Sequence, residues 1–288
     1  MKALILGCKG QLGKALVSAA PDTVECRGVD LPELDITNID ALLKICRQTK
    51  PTVIINAAAY TAVDQAETEI ELATAVNAVA PGNVATAAND VSARLIHIST
   101  DFVFDGAASA PYEIGAEPNP VSIYGKTKRA GELAVLNAMP TTAIVMRTAW
   151  LYSKTGNNFV KTMLKLMAER DELGVVADQI GTPTWADSLA STVWAAAETP
   201  QLHGILHWTD GGQTSWYDFA LAIQKEALSL GLLNYSIPIR NISTLDYPTA
   251  ATRPPYSVLD CSATCDVLSL YPTQWRANLH LMLEGMTT

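Results

Sequence analysis

A glycine-rich segment near the start of the chain, Gly7-Cys8-Lys9-Gly10-Gln11-Leu12-Gly13, constrains the fold more than any other feature. It follows a short apolar stretch, 2–7, that predicts a strand, and it opens a stretch, 11–20, that predicts a helix. Glycines at such a turn allow a tight bend, let phosphates approach the backbone and let the helix pack closely on the strand. The spacing is G-x-x-G-x-x-G rather than the commoner G-x-G-x-x-G, and a plain strand-to-helix turn is the alternative. Its place at the first strand predicts that Gly7, Gly10 and Gly13 cradle the diphosphate of a dinucleotide.

Strands and helices alternate through the first half of the chain. The predicted strands are 2–7, 23–29, 52–56, 93–99 and 142–147, and the predicted helices between them are 11–20, 38–45, 69–89 and 121–137. Branched apolar strands separated by helices are typical of a parallel sheet covered on both faces. We therefore expect an α/β fold, a Rossmann-type doubly wound parallel sheet over residues 1–150. Residues 151–288 are expected to form mainly a smaller C-terminal substrate-binding subdomain, and segments of this half can return to the sheet.

Composition limits the partners of this chain. Its net charge of −9 disfavours nucleic acid. It has no apolar run of about 18 residues, so we expect no membrane span, and the N-terminal apolar run is too short for a signal-peptide core. The five cysteines and four histidines lack metal-site spacing, so no metal is expected. These features predict a soluble cytoplasmic protein.

A tyrosine and a lysine follow the fourth predicted strand. Tyr124 and Lys128 are four residues apart in a predicted helix, which places them on one face. A free tyrosine titrates near 10, and a neighbouring ammonium is expected to stabilise the phenolate and lower that pKa. A chance pairing on an exposed helix is the alternative. Behind a dinucleotide loop, the pair predicts a reductase in which Tyr124 donates a proton to a carbonyl oxygen and Lys128 orients the cofactor. Thr100 is placed to hydrogen-bond the same oxygen.

The acidic residue that ends the second strand bears on the choice of cofactor. Asp30 can accept hydrogen bonds from an adenosine ribose, which favours NAD. Lys9 and Arg27 could instead meet a 2′-phosphate. The residues by themselves leave NADPH and NADH open.

Longer segments resemble the extended short-chain dehydrogenase/reductase family along nearly the whole chain. The matching segments are 56–64, 99–106, 147–150, 156–159, 178–184 and 253–254, with Phe102 where tyrosine is more usual. The resemblance implies reduction, by NADPH or alternatively NADH, of the C4 ketone of a dTDP-linked 4-keto-6-deoxy sugar for surface polysaccharide synthesis. A monomer or a homodimer is expected to carry it out.

The same resemblance assigns residues to the site. It makes Tyr124, Lys128 and Thr100 catalytic and places Thr100, Asp101 and Trp150 on the sugar nucleotide. Arg253 is a further candidate because a guanidinium matches phosphate oxygens in a fork. The remaining cofactor contacts that it implies are Gly10, Gln11, Leu12, Asp30, Asp35, Ile36, Ala59, Tyr60 and Thr61.

Other functions share parts of this pattern. Sugar-nucleotide dehydratases need a second carboxylate after the threonine and aspartate, but here Phe102 follows Asp101. The segment 99–101 does not resemble that of epimerases. A non-catalytic dinucleotide-binding regulatory subunit is a third alternative, against which the intact Tyr124, Lys128 and Thr100 argue.

Overall fold

A six-stranded sheet forms the centre of the protein, and the computed structural model describes residues 1–287. The strands are β1 (Lys2–Leu6), β2 (Glu25–Val29), β3 (Val53–Asn56), β4 (Arg94–Thr100), β5 (Ala143–Thr148) and β10 (Gly204–His207). They lie in the order β10-β5-β4-β3-β1-β2, and every neighbouring pair is parallel. This confirms the predicted α/β doubly wound sheet. The chain moves outward from β1 in both directions, which opens a crevice at the carboxyl ends of β1 and β3.

Helices cover both faces of this sheet. One face carries α1 (Gln11–Ser18) and α7 (Ala186–Ala197), and the other carries α2 (Ile39–Thr49), α4 (Ala80–Asp90) and α5 (Ile123–Ala138). The strand side chains alternate between the two cores because successive residues of a strand point to opposite faces. Ile5 packs with α1 and α7, while Leu4 packs with α2 and α4.

The predicted helix over 69–89 is present from Ile70 to Asp90 and contains a π-helical turn. It consists of α3 (Ile70–Thr74), a π-helical turn (Ala75–Val79) and α4. Pro81 has no N–H to donate to the carbonyl of Asn77, four residues earlier. That carbonyl instead faces α5 so closely that a Cβ on Gly131 would lie 2.1 Å from it. The Asn77 side chain turns inward and pairs with both backbone groups of Tyr60 at 2.9 Å, which positions the loop after β3.

The second half builds a smaller layer over the carboxyl edge of the sheet. Its helices are α6 (Phe159–Glu169), α8 (Trp216–Ser229) and α10 (Trp275–Glu284). Its short strands form three pairs: β6 (Leu151–Tyr152) with β9 (Thr184–Trp185), β7 (Leu173–Val176) with β12 (Ile239–Ile242), and β8 (Ile180–Gly181) with β11 (Thr214–Ser215). A separate apolar core around Phe219 holds α6, α8 and α10 together.

Three elements beyond residue 150 lie in the central layer. Strand β10 extends the sheet, α7 covers it, and α9 (Ser262–Leu268) packs beside β10, where Thr264 accepts a hydrogen bond from His207 N at 3.2 Å. The boundary at residue 150 stays a prediction, and Thr288, the last residue of the predicted subdomain, lies outside the described residues. No helix within residues 1–287 is long and apolar enough to cross a membrane.

Candidate active site

A cleft of about 680 Å³ lies where the carboxyl ends of the central strands meet the smaller layer. It is lined by the start of α1, the end of β4, the first turns of α5 and the turn after β5. Next to it, a cavity of about 200 Å³ extends past the glycine loop to the end of β2. The two spaces share Gly10, Ala57 and Ala59, so the loop lies between them. An elongated ligand can therefore cross the loop.

The glycine loop has the close packing that its spacing predicted. Gly7 has a φ of +79°, which favours glycine, and a Cβ on Gly13 would lie 2.0 Å from the Gly7 carbonyl oxygen. The start of α1 therefore packs directly on the loop. Asp30 accepts hydrogen bonds from the backbone N–H groups of Lys9 at 2.9 Å and Leu31 at 2.7 Å. This carboxylate is held at the rim of the smaller cavity.

Most residues expected at the cofactor line one of these two spaces. The smaller cavity is lined by Gly7, Gly10, Asp30, Asp35, Ile36 and Ala59, and the cleft by Gly10, Gln11, Leu12, Ala59, Thr61, Tyr124 and Lys128. Gly13 and Tyr60 line neither. The Gly13 position serves helix packing, and the Tyr60 hydroxyl donates to Glu69 at 2.7 Å. The two adjoining spaces and the three glycines of the loop between them fit a dinucleotide.

Tyr124 and Thr100 lie together in the cleft. Ser122 accepts a hydrogen bond from Gly125 N at 3.1 Å and so begins α5 just before Tyr124, which is 8% exposed. Burial raises the pKa of Tyr124 to about 12, a hydrogen bond with Thr100 lowers it, and the charge of Asp101 raises it further. The predicted lowering of this pKa is therefore wrong, because burial of the hydroxyl outweighs any stabilisation of the phenolate. Tyr124 keeps its proton at neutral pH.

Lys128 lies one turn further along the same face of α5. Its ammonium donates to the Ile98 carbonyl at 2.7 Å, and its side chain is almost fully buried. Burial lowers the pKa of Lys128 to about 8, against the raising effect of the Glu132 charge. The lysine thus remains mostly charged at neutral pH, and it lines the cleft.

A buried charged cluster supports this part of α5. Glu132, one turn after Lys128, accepts two hydrogen bonds from Arg147 at 2.8 Å and one from Ser99 at 2.6 Å. The Arg129 guanidinium also donates a hydrogen bond to Glu132, at 2.9 Å. This cluster was not predicted from the sequence. A glutamate four residues after the lysine was the local signal for it, but its partners Ser99 and Arg147 lie on β4 and β5.

The residues expected at the sugar nucleotide, Thr100, Asp101, Trp150 and Arg253, all line the cleft. Burial raises the pKa of Asp101 to about 6, although a hydrogen bond of 3.0 Å from Thr100 and the nearby Ser257 hydroxyl lower it. Within the described part of the chain, Asp101 is the one carboxylate that lines this space. The Arg253 guanidinium pairs with Asp64 through two hydrogen bonds of 2.7 and 3.0 Å.

Trp216 also lines the cleft and was not expected there. Its signal in the sequence was weak, since an aromatic residue at the start of an amphipathic helix usually belongs to a core. Among residues 1–287 no group of three or more histidine, cysteine, aspartate or glutamate side chains is placed to hold a metal ion.

Comparison with known proteins identifies relatives along the full chain. The model of the RmlD substrate binding domain family matches residues 1–288. A relative from Aggregatibacter actinomycetemcomitans, named dTDP-4-dehydrorhamnose reductase, is 44% identical and aligns over 96% of each chain.

Solved structures agree in fold over the same length. The crystal structure of a dTDP-4-dehydrorhamnose reductase from Clostridium acetobutylicum has a TM-score of 0.94, 40% identity and full coverage of both chains. A dTDP-4-dehydrorhamnose reductase from Bacillus anthracis, solved in complex with NADP, has a TM-score of 0.91 and 38% identity over 98% of each chain.

Proposed function

This chain belongs to the RmlD substrate binding domain family, and from that premise we propose that it reduces the C4 ketone of dTDP-4-dehydro-L-rhamnose, giving dTDP-L-rhamnose for surface polysaccharide synthesis. The observation that carries the proposal is the meeting of Tyr124, Thr100 and Lys128 in one cleft beside the glycine loop. This is the constellation that carbonyl reduction by a nicotinamide requires.

NADPH is the proposed reductant, with NADH as the alternative. The bound nicotinamide supplies the hydride that reaches the carbonyl carbon. The glycine loop and the N-terminus of α1 would hold its diphosphate, and Asp30, Asp35 and Ile36 would surround the adenosine. The Lys9 ammonium donates a hydrogen bond to the Leu31 carbonyl next to Asp30. A positive charge therefore lies near the place proposed for the adenosine, where it could meet a 2′-phosphate. Arg27 is engaged by Glu33 at 3.1 Å. The relative solved with NADP agrees with this choice.

Tyr124 supplies the proton. A ketone that accepts a hydride becomes an alkoxide, which is a stronger base than a phenolate, so transfer from Tyr124 to that oxygen is downhill even with a pKa of about 12. The raised pKa also ensures that the tyrosine holds the proton before each turnover. The Thr100 hydroxyl lies beside Tyr124, whose pKa it lowers, and can orient the same oxygen. The Lys128 ammonium adds positive charge that stabilises the phenolate left behind.

The cleft favours reduction over the related lyase chemistry. A dehydratase must remove a proton from carbon with an additional carboxylate, whereas Phe102 occupies the position after Asp101 and packs against Tyr124 at 5.6 Å between ring centroids. Asp101 and Trp150 are the proposed contacts of the sugar, and Arg253 is the proposed contact of the diphosphate. A cytoplasmic location and a monomeric or homodimeric state complete the proposal.

A substrate panel tests this function. dTDP-, UDP- and GDP-linked 4-keto-6-deoxy sugars are each incubated with NADPH and with NADH, and the fall in nicotinamide absorbance is followed. We expect the highest kcat/KM for the dTDP-linked sugar with NADPH. Absence of turnover with every sugar, together with tight binding of NADPH, would instead support the regulatory dinucleotide-binding subunit.

A further inference from the structure

Trp150 adopts an unusual backbone conformation at the edge of the cleft. Its φ is +44°, in the left-handed region that bulky residues rarely occupy, and it follows β5 after a single intervening residue. Such a conformation persists only where the surroundings hold it. The contacts of its indole therefore indicate what holds it.

Two elements of the smaller layer hold this indole. Trp216 stacks on it with ring centroids 3.4 Å apart and planes 7° from parallel. Gly181 contacts it so closely that a Cβ there would lie 2.5 Å from the ring. The two contacts are coupled, because Gly181 on β8 pairs with Thr214 on β11, two residues before Trp216.

Trp216 also separates two spaces. It lines the active cleft and a second, mainly apolar cavity of about 470 Å³ between α6, β7 and the segment around Tyr247. Phe159 backs it at 4.5 Å between ring centroids. The stacked indoles thus form a wall of the cleft on the side of this second cavity.

We propose that Trp216 is a positioning residue for sugar-nucleotide binding: it fixes the Trp150 indole as the wall of the cleft, and the missing side chain at Gly181 leaves the space that the indole needs. This inference rests on the proposed function for the identity of the ligand. Loss of the Trp216 stack, or a side chain in the space beside Gly181, allows or forces Trp150 into other conformations. The protein then spends less time in the form that binds the sugar nucleotide. The apparent KM then rises in proportion.

A pair of double-mutant cycles tests the proposal. Trp216→Ala and Gly181→Ala are each made alone and combined with Trp150→Ala, and KM is measured separately for the dTDP-sugar and for NADPH. We expect each single change to raise the sugar-nucleotide KM about tenfold, while the KM for NADPH stays within about twofold. In the Trp150→Ala background neither change should add a further loss, because both act through the same indole.

Equal losses with and without Trp150 would overturn the proposal, since Trp216 would then act directly on the ligand or on the fold. A parallel rise in the KM for NADPH would overturn it as well. Trp216→Phe keeps an aromatic face on Trp150 and should recover most of the affinity. Tyr217→Phe, on the next residue of α8, is the matched control. If Trp216→Ala does not fold, the Gly181→Ala cycle decides alone.

A binding measurement separates this inference from the function itself. If the wild-type protein turns over no sugar nucleotide, the proposed function fails. The same two cycles are then measured by calorimetric titration with dTDP-L-rhamnose, whose sugar would reach Trp150. Persistence of the non-additive loss would support the Trp150 wall independently of catalysis, and additive losses or unchanged binding of dTDP-L-rhamnose would refute it.

Discussion

The Arg147 guanidinium donates two hydrogen bonds of 2.8 Å to the Glu132 carboxylate, and neither side chain is more than 1% exposed. Glu132 also accepts from Ser99, so one carboxylate joins α5 to both β4 and β5. Lys128 precedes it by one helical turn. Glu132 and its partners therefore hold α5, which carries Tyr124 and Lys128, against β4, which carries Thr100.

Breaking this pair should destabilise the protein strongly. Glu132→Gln leaves Arg147 buried without its counter-charge, a change that typically costs about 3–5 kcal/mol. Urea unfolding measures the loss in the free energy of unfolding. Glu169→Gln, at an exposed position on α6, serves as the control and should change it by less than about 0.5 kcal/mol. An effect at Glu132 as small as that of the control would show that the pair is dispensable.

Removing the hydroxyl of Tyr124 should abolish most turnover. Tyr124→Phe keeps the ring and its contact with Phe102 but removes the proton donor, so kcat should fall by about 10²–10⁴. The affinity for NADPH, measured by fluorescence titration, should remain nearly unchanged. Near-normal turnover in this variant would remove Tyr124 from the mechanism.

The pH dependence of turnover should report on Lys128. Burial lowers the pKa of this lysine to about 8, so its ammonium loses the proton as the pH rises through about 8, well below the range of a free lysine. We expect kcat/KM to fall above that pH because the positive charge beside Tyr124 disappears. The profile is measured from pH 6 to pH 10 for the wild type and for Lys128→Arg. The arginine variant should be slower but lack this descending limb, and retention of the limb would assign it to another group.

The fork of Arg253 should matter for the sugar nucleotide and not for the cofactor. Arg253→Lys keeps the positive charge but loses the two-pronged geometry that pairs with Asp64 and, in our proposal, binds a diphosphate. We expect the KM for the dTDP-sugar to rise about tenfold, a loss of about 1.4 kcal/mol. Arg47→Lys alters a surface ion pair with Asp90 and should leave that KM unaffected. A matching rise in both variants would exclude a specific role for the fork.

A buried carboxylate away from the cleft predicts a pH effect on stability. Burial raises the pKa of Asp210 to about 6, although a hydrogen bond of 3.0 Å from Trp185 N and the nearby Asn278 and Ser188 side chains lower it. In the folded protein this group therefore binds its proton more tightly than in the unfolded chain. The protonated group therefore adds to the free energy of unfolding. This contribution is complete below about pH 4 and is lost as the pH rises through about 6.

Asp210→Asn removes that titration. Relative to the wild type, the free energy of unfolding of the variant should increase between pH 4 and pH 7 by on the order of 2–3 kcal/mol. Denaturant unfolding at several pH values measures the difference. A difference that does not change with pH would show that Asp210 titrates alike in the folded and unfolded chains.

The features that could be predicted from the sequence are local ones. The glycine spacing, the alternation of strands and helices and the four-residue separation of Tyr124 and Lys128 all follow from backbone geometry within a few residues. The helix predicted over 38–45 is likewise a local feature, and in the structure Asn38 caps α2 by accepting from Ala41 N at 3.1 Å. The single helix expected over 69–89 is present, but its π turn was not predictable, because it depends on Pro81 and on the packing of Asn77 against Gly131 of α5.

The sequence by itself determined the fold class, the dinucleotide loop and the side chains that bring chemistry to the cleft, because each of these depends on neighbours along the chain. Only the tertiary structure decided how those groups behave. The pKa of Tyr124 rises rather than falls because desolvation depends on the whole surrounding core. The Asp64–Arg253 pair joins residues 189 positions apart, and the Trp150–Trp216 stack is likewise formed by distant segments. No local pattern records such contacts, since they exist only after the two layers have packed together.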